Sequence, residues 1–306
     1  MLYKYSLVEI YDMKNNMESC ESDADINNII SKLVELLNVN IQIKPKTMKR
    51  DKNRNANDSQ WLKKEPFKAT VIEKSAGIEE LLDNLRGVLN KLTTNNLAQH
   101  QENIVKIINE IISDDIEEQD EDKYTKIMNC FFKIVINNRF YSDVYVELFI
   151  FILDNFILFE EYRNYFVDQY KDLMNDFTYA DPNDDYNKYC EINKLNENRK
   201  AILTFIIYSI KKELYSFDII NDILDYYFDK IGSTKQQLSA VQINEEIIEN
   251  VFVIYSDGKD ILLNEVSRYA LISKVKDLTT IKLSANKGFS NRMKFKCMDI
   301  MDLYNK

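Results

Sequence analysis

Glycine, proline and histidine are what this chain has least of. Five glycines and three prolines in 306 residues are far below ordinary usage. They leave too few punctuation points for a turn-rich β-sandwich, and too few glycines for the phosphate loops of doubly wound sheets. One histidine, His100, removes most zinc chemistry and any nucleophile that needs a second imidazole. Four cysteines, Cys20, Cys130, Cys190 and Cys297, stand 60 or more residues apart with no CxxC, and read as free thiols of a reducing compartment. The amino terminus has no apolar core long enough for a signal peptide. The most apolar run, 146–159, is interrupted by Glu147 and Asp154. It is too short to span a bilayer and reads as a helix buried on all sides. No membrane association is expected, and the location expected is cytoplasmic.

What is present is charge and helical spacing. Hydrophobic residues make up 45% of the chain and charged residues 29%, with a net charge of −10, which argues against a surface that coats nucleic acid. From Gly77 onward apolar residues recur at steps of three and four. Examples are Ile78, Leu81, Leu82, Leu85, Val88, Leu89 and Leu92, then Ile104, Ile107, Ile108 and Ile111, then Leu203, Ile206, Ile207, Ile210 and Leu214. No period-two run competes, so the fold class is all-α. About ten helices are expected between 77 and 304, as five antiparallel pairs in a globular bundle or a solenoid. Gly232 is expected to end one helix at Ile231, Gly258 to split two others, and Pro182 to lie in a polar connection. Gly87 sits inside a helical pattern, so close packing against it is expected.

Ahead of this block the composition changes. Residues 41–76 form a basic linker in which Lys44, Lys46, Lys49, Arg50, Lys52, Arg54, Lys63, Lys64 and Lys68 alternate with asparagines and two prolines. Residues 1–40 form an arm in which Ile26, Ile29, Ile30, Leu33, Leu36 and Leu37 make one amphipathic stripe, of a kind that docks on other proteins.

Signatures of catalysis fail one by one. Gly258-Lys259-Asp260 lacks the upstream glycine and the Ser or Thr of a phosphate loop. Asp181, Asn183 and Asp185 copy three calcium-ligand positions, but Tyr186 replaces the required glycine and Ile192 the bidentate glutamate. The acidic run from Asp114 to Asp122 reads as a solvated loop, and His100 as a surface residue of a helix. No metal, cofactor or enzymatic activity is expected.

Several segments, in order, resemble one family. RGVLNKLT at 86–93, followed by Asn95-Asn96-Leu97, is similar to the first hairpin of the middle domain of eukaryotic translation initiation factor 4 gamma. KIVINNRFYSDVYVELF, 133–149, resembles its second hairpin, with Tyr141, Ser142 and Tyr145 at the family's Phe, Ser and Tyr positions and Arg139 where the family has proline. NRKAILTFIIYSIKKELYSFDII, 198–220, resembles the basic-then-apolar helix of the third hairpin and the start of the fourth. Gly258-Lys259-Asp260 corresponds to a turn in the fourth pair, and SNRMKFKCMDIMDLYNK, 290–306, resembles the closing helix. The likeness covers 77–306 and implies a HEAT-type solenoid of about five hairpins whose edge clamps a DEAD-box RNA helicase without doing chemistry itself. Asn90 and Lys91 in the first turn, and Arg139, Phe140 and Tyr141 in the second, are the expected helicase contacts.

Trp61, the only tryptophan, either packs against the first hairpin or anchors the helicase, as a Trp near this place does in the family. In the arm, Tyr5, Ile10 and Tyr11 resemble a degenerate Tyr-x4-Leu-apolar motif for the cap-binding protein. Lys49, Arg50 and Lys52 either touch RNA phosphates weakly or stay solvated. The resemblance thus implies a translation-initiation scaffold; the acidic surface favours a monomer outside its complex, and the short length and AT-rich residue usage suggest a compact version from a large DNA virus (acting in host cytoplasm) or a protist of similar genome. A middle-domain scaffold in splicing or decay, and a decoy that sequesters host initiation factors, remain open beside it.

Overall fold

The structure is a computed structural model that describes residues 77–113 and 123–304. All of them lie in one compact unit, and all their regular secondary structure is helical. Eleven α-helices follow one another: α1 Ile78–Leu89, α2 Leu97–Ser113, α3 Lys123–Val135, α4 Ser142–Asn155, α5 Tyr165–Asn175, α6 Tyr186–Lys211, α7 Asp218–Thr234, α8 Val241–Asp257, α9 Lys259–Asn264, α10 Arg268–Thr279 and α11 Asn291–Tyr304. Short 3-10 turns at Arg139–Tyr141, Ile157–Tyr162 and Leu238–Ala240 lead into α4, α5 and α8. No described helix is long and apolar enough to cross a membrane.

The stripes read from the sequence are the buried faces. Leu82, Leu85 and Leu89 of α1, Ile104, Ile108 and Ile111 of α2, and Ile202 to Ile207 of α6 are all sealed from solvent. A knot of aromatic rings holds the second and third helix pairs together. Phe131 of α3 packs on Tyr145 and Phe149 of α4, and Phe166 of α5 stacks on Phe205 of α6 with centroids 4.0 Å apart. Each of these buried rings contributes about 2–3 kcal/mol of apolar transfer.

Helices pack in a regular order. The pairs α1–α2, α5–α6, α7–α8 and α10–α11 pack directly, and each second helix then packs on the next: α2 on α4, α4 on α6, α6 on α8, α8 on α11. Polar contacts fix their direction. Arg139 reaches Thr204 and Glu147 reaches Lys212; Lys200 meets Glu246 and Thr204 meets Asp257; Glu245 meets Ser290 and Tyr304 meets the Tyr255 carbonyl. In each set, later residues of one helix meet later residues of the next, so α4, α6, α8 and α11 run parallel.

A chain so poor in glycine must close its helix ends by other means. Asparagine amides do much of it. Asn137 and Asn138 donate back to the Lys133 and Ile134 carbonyls at the end of α3, Asn155 to Phe151 in α4, and Asn175 to Lys171 in α5. Each adds a side-chain donor to a carbonyl four residues earlier in the last turn of its helix.

Four expectations need correction. The apolar run 146–159 is not one buried helix. It stops at Asn155, where the side chain takes the Phe151 carbonyl and Phe156 turns extended, and Ile157 and Leu158 emerge into solvent. Gly232 does not end α7, which continues to Thr234, where the Ser233 and Thr234 hydroxyls cap the Lys230 carbonyl. The count between 77 and 304 is eleven helices among the described residues, because α9 is a separate short helix after Gly258. Nothing packs on Gly87: a Cβ there would meet no atom within 4 Å. Gly87→Ala should therefore stabilise the domain by about 0.5–1 kcal/mol, the usual helix-interior difference, read as a higher urea midpoint.

Candidate partner-binding edge

Two turns expected to meet a partner lie side by side. In the first, the Asn90 N–H bonds the Arg86 carbonyl and the Lys91 N–H the Val88 carbonyl, which closes α1. Asn96 then locks the loop from both ends. Its Oδ1 accepts the Thr93 N–H at 2.7 Å and its Nδ2 donates to the Lys91 carbonyl at 2.8 Å. Leu92 points into the core, leaving Asn90 and Lys91 exposed on a fixed backbone. The second turn is tied to the first by Tyr145, whose buried hydroxyl donates to the Leu89 carbonyl. Burial, with a smaller effect of the neighbouring Tyr141 phenol, pushes the Tyr145 hydroxyl up to about 12. It therefore remains a donor across the physiological range.

Arg139 is engaged within the domain. Its Nε donates to the Thr204 hydroxyl and its Nη2 to the Asp257 carboxylate, both at 2.8 Å, while Thr204 donates to the same carboxylate oxygen at 3.1 Å. The guanidinium thus bolts the second turn to the middle of α6 and the end of α8. Asp257 is 118 residues away in sequence, and nothing in the local pattern points to it. Ser142 adds a bond from its hydroxyl to the Arg139 carbonyl at 2.7 Å. On this support Phe140 stands 96% exposed, with Tyr141 43% exposed beside it. An aromatic ring held almost fully in water forgoes about 2–3 kcal/mol of burial. The rigid turn beneath keeps it from folding back to recover that energy.

Other motifs prove to have work inside the domain. Lys259 donates to the Leu303 carbonyl and lies over the Tyr304 ring, and Asp260 pairs with Lys211 at 2.9 Å. Asp181 accepts from the Asn183 backbone and amide, and Asp185 caps α6 by accepting the Lys188 N–H at 3.0 Å. Of the basic pair in NRKAILTF, Arg199 is buried at the end of α5, and Lys200 pairs with Glu197 and Glu246. His100 sits half-buried in α2. Cys130, Cys190 and Cys297 are free thiols, and burial pushes Cys297 up to about 12, which leaves it inert. Among the described residues no cluster of three His, Cys, Asp or Glu could hold a metal ion.

Trp61, Tyr5, Ile10, Tyr11, Lys49, Arg50 and Lys52, like the acidic run 114–122 and Cys20, lie outside the described residues. The candidate surface within them is therefore Asn90, Lys91, Phe140 and Tyr141, with Arg139 as its buttress. No protein-family model matches the chain, and no curated protein matches it either.

Proposed function

We propose that the chain is a HEAT-type middle-domain scaffold that grips a DEAD-box RNA helicase through the Asn90–Lys91 and Phe140–Tyr141 turns and, through residues 1–40, tethers it to the cap-binding protein in cytoplasmic translation initiation. The observation that carries this reading is the exposed Phe140, held on a turn bolted by Arg139 and set beside the first turn by Tyr145. Proteins seldom hold a large ring in water on a rigid support unless a partner covers it. The parallel succession α4, α6, α8, α11 is the order expected of stacked hairpins, and supports the solenoid form of the fold. The segment order read from the sequence supports the family. The protein would act by binding one arrangement of the helicase lobes better than others, shifting their population without chemistry of its own.

The test is the RNA-dependent ATPase rate of an initiation-type DEAD-box helicase, titrated with the full chain. Saturable stimulation is expected, shifted to several-fold higher scaffold concentration by Lys91→Glu and by Trp61→Ala. Binding without stimulation identifies a decoy instead. Absence of binding removes translation initiation from the reading and leaves the all-helical fold.

A further inference from the structure

Where α6 hands over to α7, the backbone accepts a conformation that its sequence does not favour. The Glu213 N–H bonds the Ile210 carbonyl at 3.0 Å and the Leu214 N–H reaches back to the Ser209 carbonyl at 2.9 Å. These are the paired bonds of a Schellman helix end, whose first residue beyond the cap lies in the left-handed region and is ordinarily glycine. Here it is glutamate, at φ 62, the one non-glycine residue with positive φ among those described. A side chain there is strained. The helix end itself gains nothing from it.

That side chain borders a groove. A concavity of about 500 Å³ opens between the end of α6, the turn 213–217 and α9. Ile210, Leu214, Phe217 and Ile261 supply apolar lining, and Glu213 and Glu265 carry the carboxylates on its border. Among the described residues neither carboxylate has a hydrogen bond or ion pair, and the lysines that precede Glu213, Lys211 and Lys212, are committed to Asp260 and Glu147. Just beyond the groove Val266 is 98% exposed and Leu263 lies open beside it. The groove shares no residue with the Phe140 surface.

We infer that this groove is a second docking site, which takes a peptide segment of a partner protein bearing a lysine or arginine between two apolar residues. The cation sits between the Glu213 and Glu265 carboxylates. Its aliphatic stem and the flanking apolar residues cover Ile210, Leu214, Phe217 and Ile261. Charge complementarity selects the occupant: two unpaired carboxylates repel an acidic peptide, while a purely apolar one would leave them desolvated and unmatched. An arginine or lysine satisfies both parts of the surface, since each has a long apolar stem and a charged head. The inference stands apart from the helicase reading and does not depend on it.

Glu213→Gly separates a binding role from a structural one. Glycine relaxes the helix end, so the variant should unfold at a higher temperature than the parent. If the glutamate serves the groove, the same variant should bind more weakly. The probe is a fluorescein-labelled LKLKLKL peptide, titrated into the full chain by anisotropy at physiological ionic strength, with LELELEL and SKSKSKS as controls. Glu213→Gly and Glu265→Gln should each weaken LKLKLKL binding about tenfold, or about 1.4 kcal/mol. Asp222→Asn, which removes one exposed charge from α7, should leave binding unchanged, as should Lys91→Glu. Equal loss with Asp222→Asn would mean the peptide senses only the net acidity of the domain, and would overturn the site. Equal affinity for SKSKSKS, unaltered binding by Glu213→Gly, or no binding of LKLKLKL up to millimolar concentration would overturn it as well. ATPase stimulation by Glu213→Gly should match the parent, so failure here and failure of the helicase reading are told apart.

Discussion

Arg199→Met is expected to lower the thermal midpoint of the domain by about 10 °C, a large loss for a single buried-residue exchange. The side chain is 1% exposed, yet no carboxylate pairs with it. Its Nε donates to the Leu173 carbonyl at 3.1 Å and its Nη2 to the Asp176 carbonyl at 2.9 Å, while Nη1 reaches the Asn196 side chain at 2.6 Å. The guanidinium plane lies 4.0 Å from the centre of the Phe177 ring. A cation placed where α5 runs out of internal donors gives the Leu173 carbonyl a second donor beside the Asp176 N–H, takes the Asp176 carbonyl as well, and faces the negative end of the helix. Methionine preserves most of the volume and none of the donors. Each hydrogen bond from a charged group contributes about 1.5–3 kcal/mol, and three such bonds are lost together with the stack on Phe177. A total near 3 kcal/mol is therefore a modest expectation, measured by urea or thermal unfolding. Arg199→Lys should recover only part of it, because an ammonium has neither the reach of the fork nor the flat face that stacks on Phe177.

The Arg199 case marks where sequence reading reaches and where it stops. The apolar stripes were legible because burial imposes a period, and the residues at those spacings are the core: Leu82, Leu85 and Leu89, or Ile220, Ile223 and Ile231. Leu92 was legible for the same reason. The first half of α6 was not. From Tyr186 to Asn198 only Ile192 is buried, so no stripe announces a helix, and the segment is started by the Asp185 cap. Helix ends were misplaced at Ile231 because they were sought at glycine, whereas this chain closes several of them with asparagine amides and one with a strained glutamate. The role of Arg199 was not legible, because a sequence shows that a side chain is cationic and not which carbonyls lie above it. The internal bonds of Arg139 had no signal in the sequence. Its partners Thr204 and Asp257 come from α6 and α8, and a contact over 65 and 118 residues leaves no local pattern. What the sequence singled out in that turn and the structure shows exposed is Phe140 and Tyr141.

Phe140→Ser and Arg139→Ala should divide the two roles that meet in this turn. Serine at 140 removes a ring that touches solvent over 96% of its surface, so the folded domain loses almost no packing, and surface changes of this kind usually stay within about 0.5 kcal/mol. If the ring is a buried anchor in the helicase complex, its loss should weaken binding by about 2 kcal/mol or more, some thirtyfold, as aromatic hot spots do. The readout is the scaffold concentration that gives half-maximal ATPase stimulation, with the stimulated rate at saturation unchanged. Arg139→Ala should behave differently. It leaves the Asp257 carboxylate, partly shielded from solvent, with only the Thr204 hydroxyl and its neighbour Ser256 for hydrogen bonds. That costs stability as well as binding, because the turn beneath Phe140 is released from α6 and α8. Asp257→Asn should reproduce the Arg139→Ala phenotype, since it weakens the same bolt from the other side. A Phe140→Ser chain that stimulates the helicase at the parent's concentration would remove the ring from the interface. A destabilised Arg139→Ala chain that binds normally would show that the turn needs no rigid support. Together the three variants say whether this edge acts through a presented side chain, as its geometry favours, or only through the charge and shape of its backbone turns.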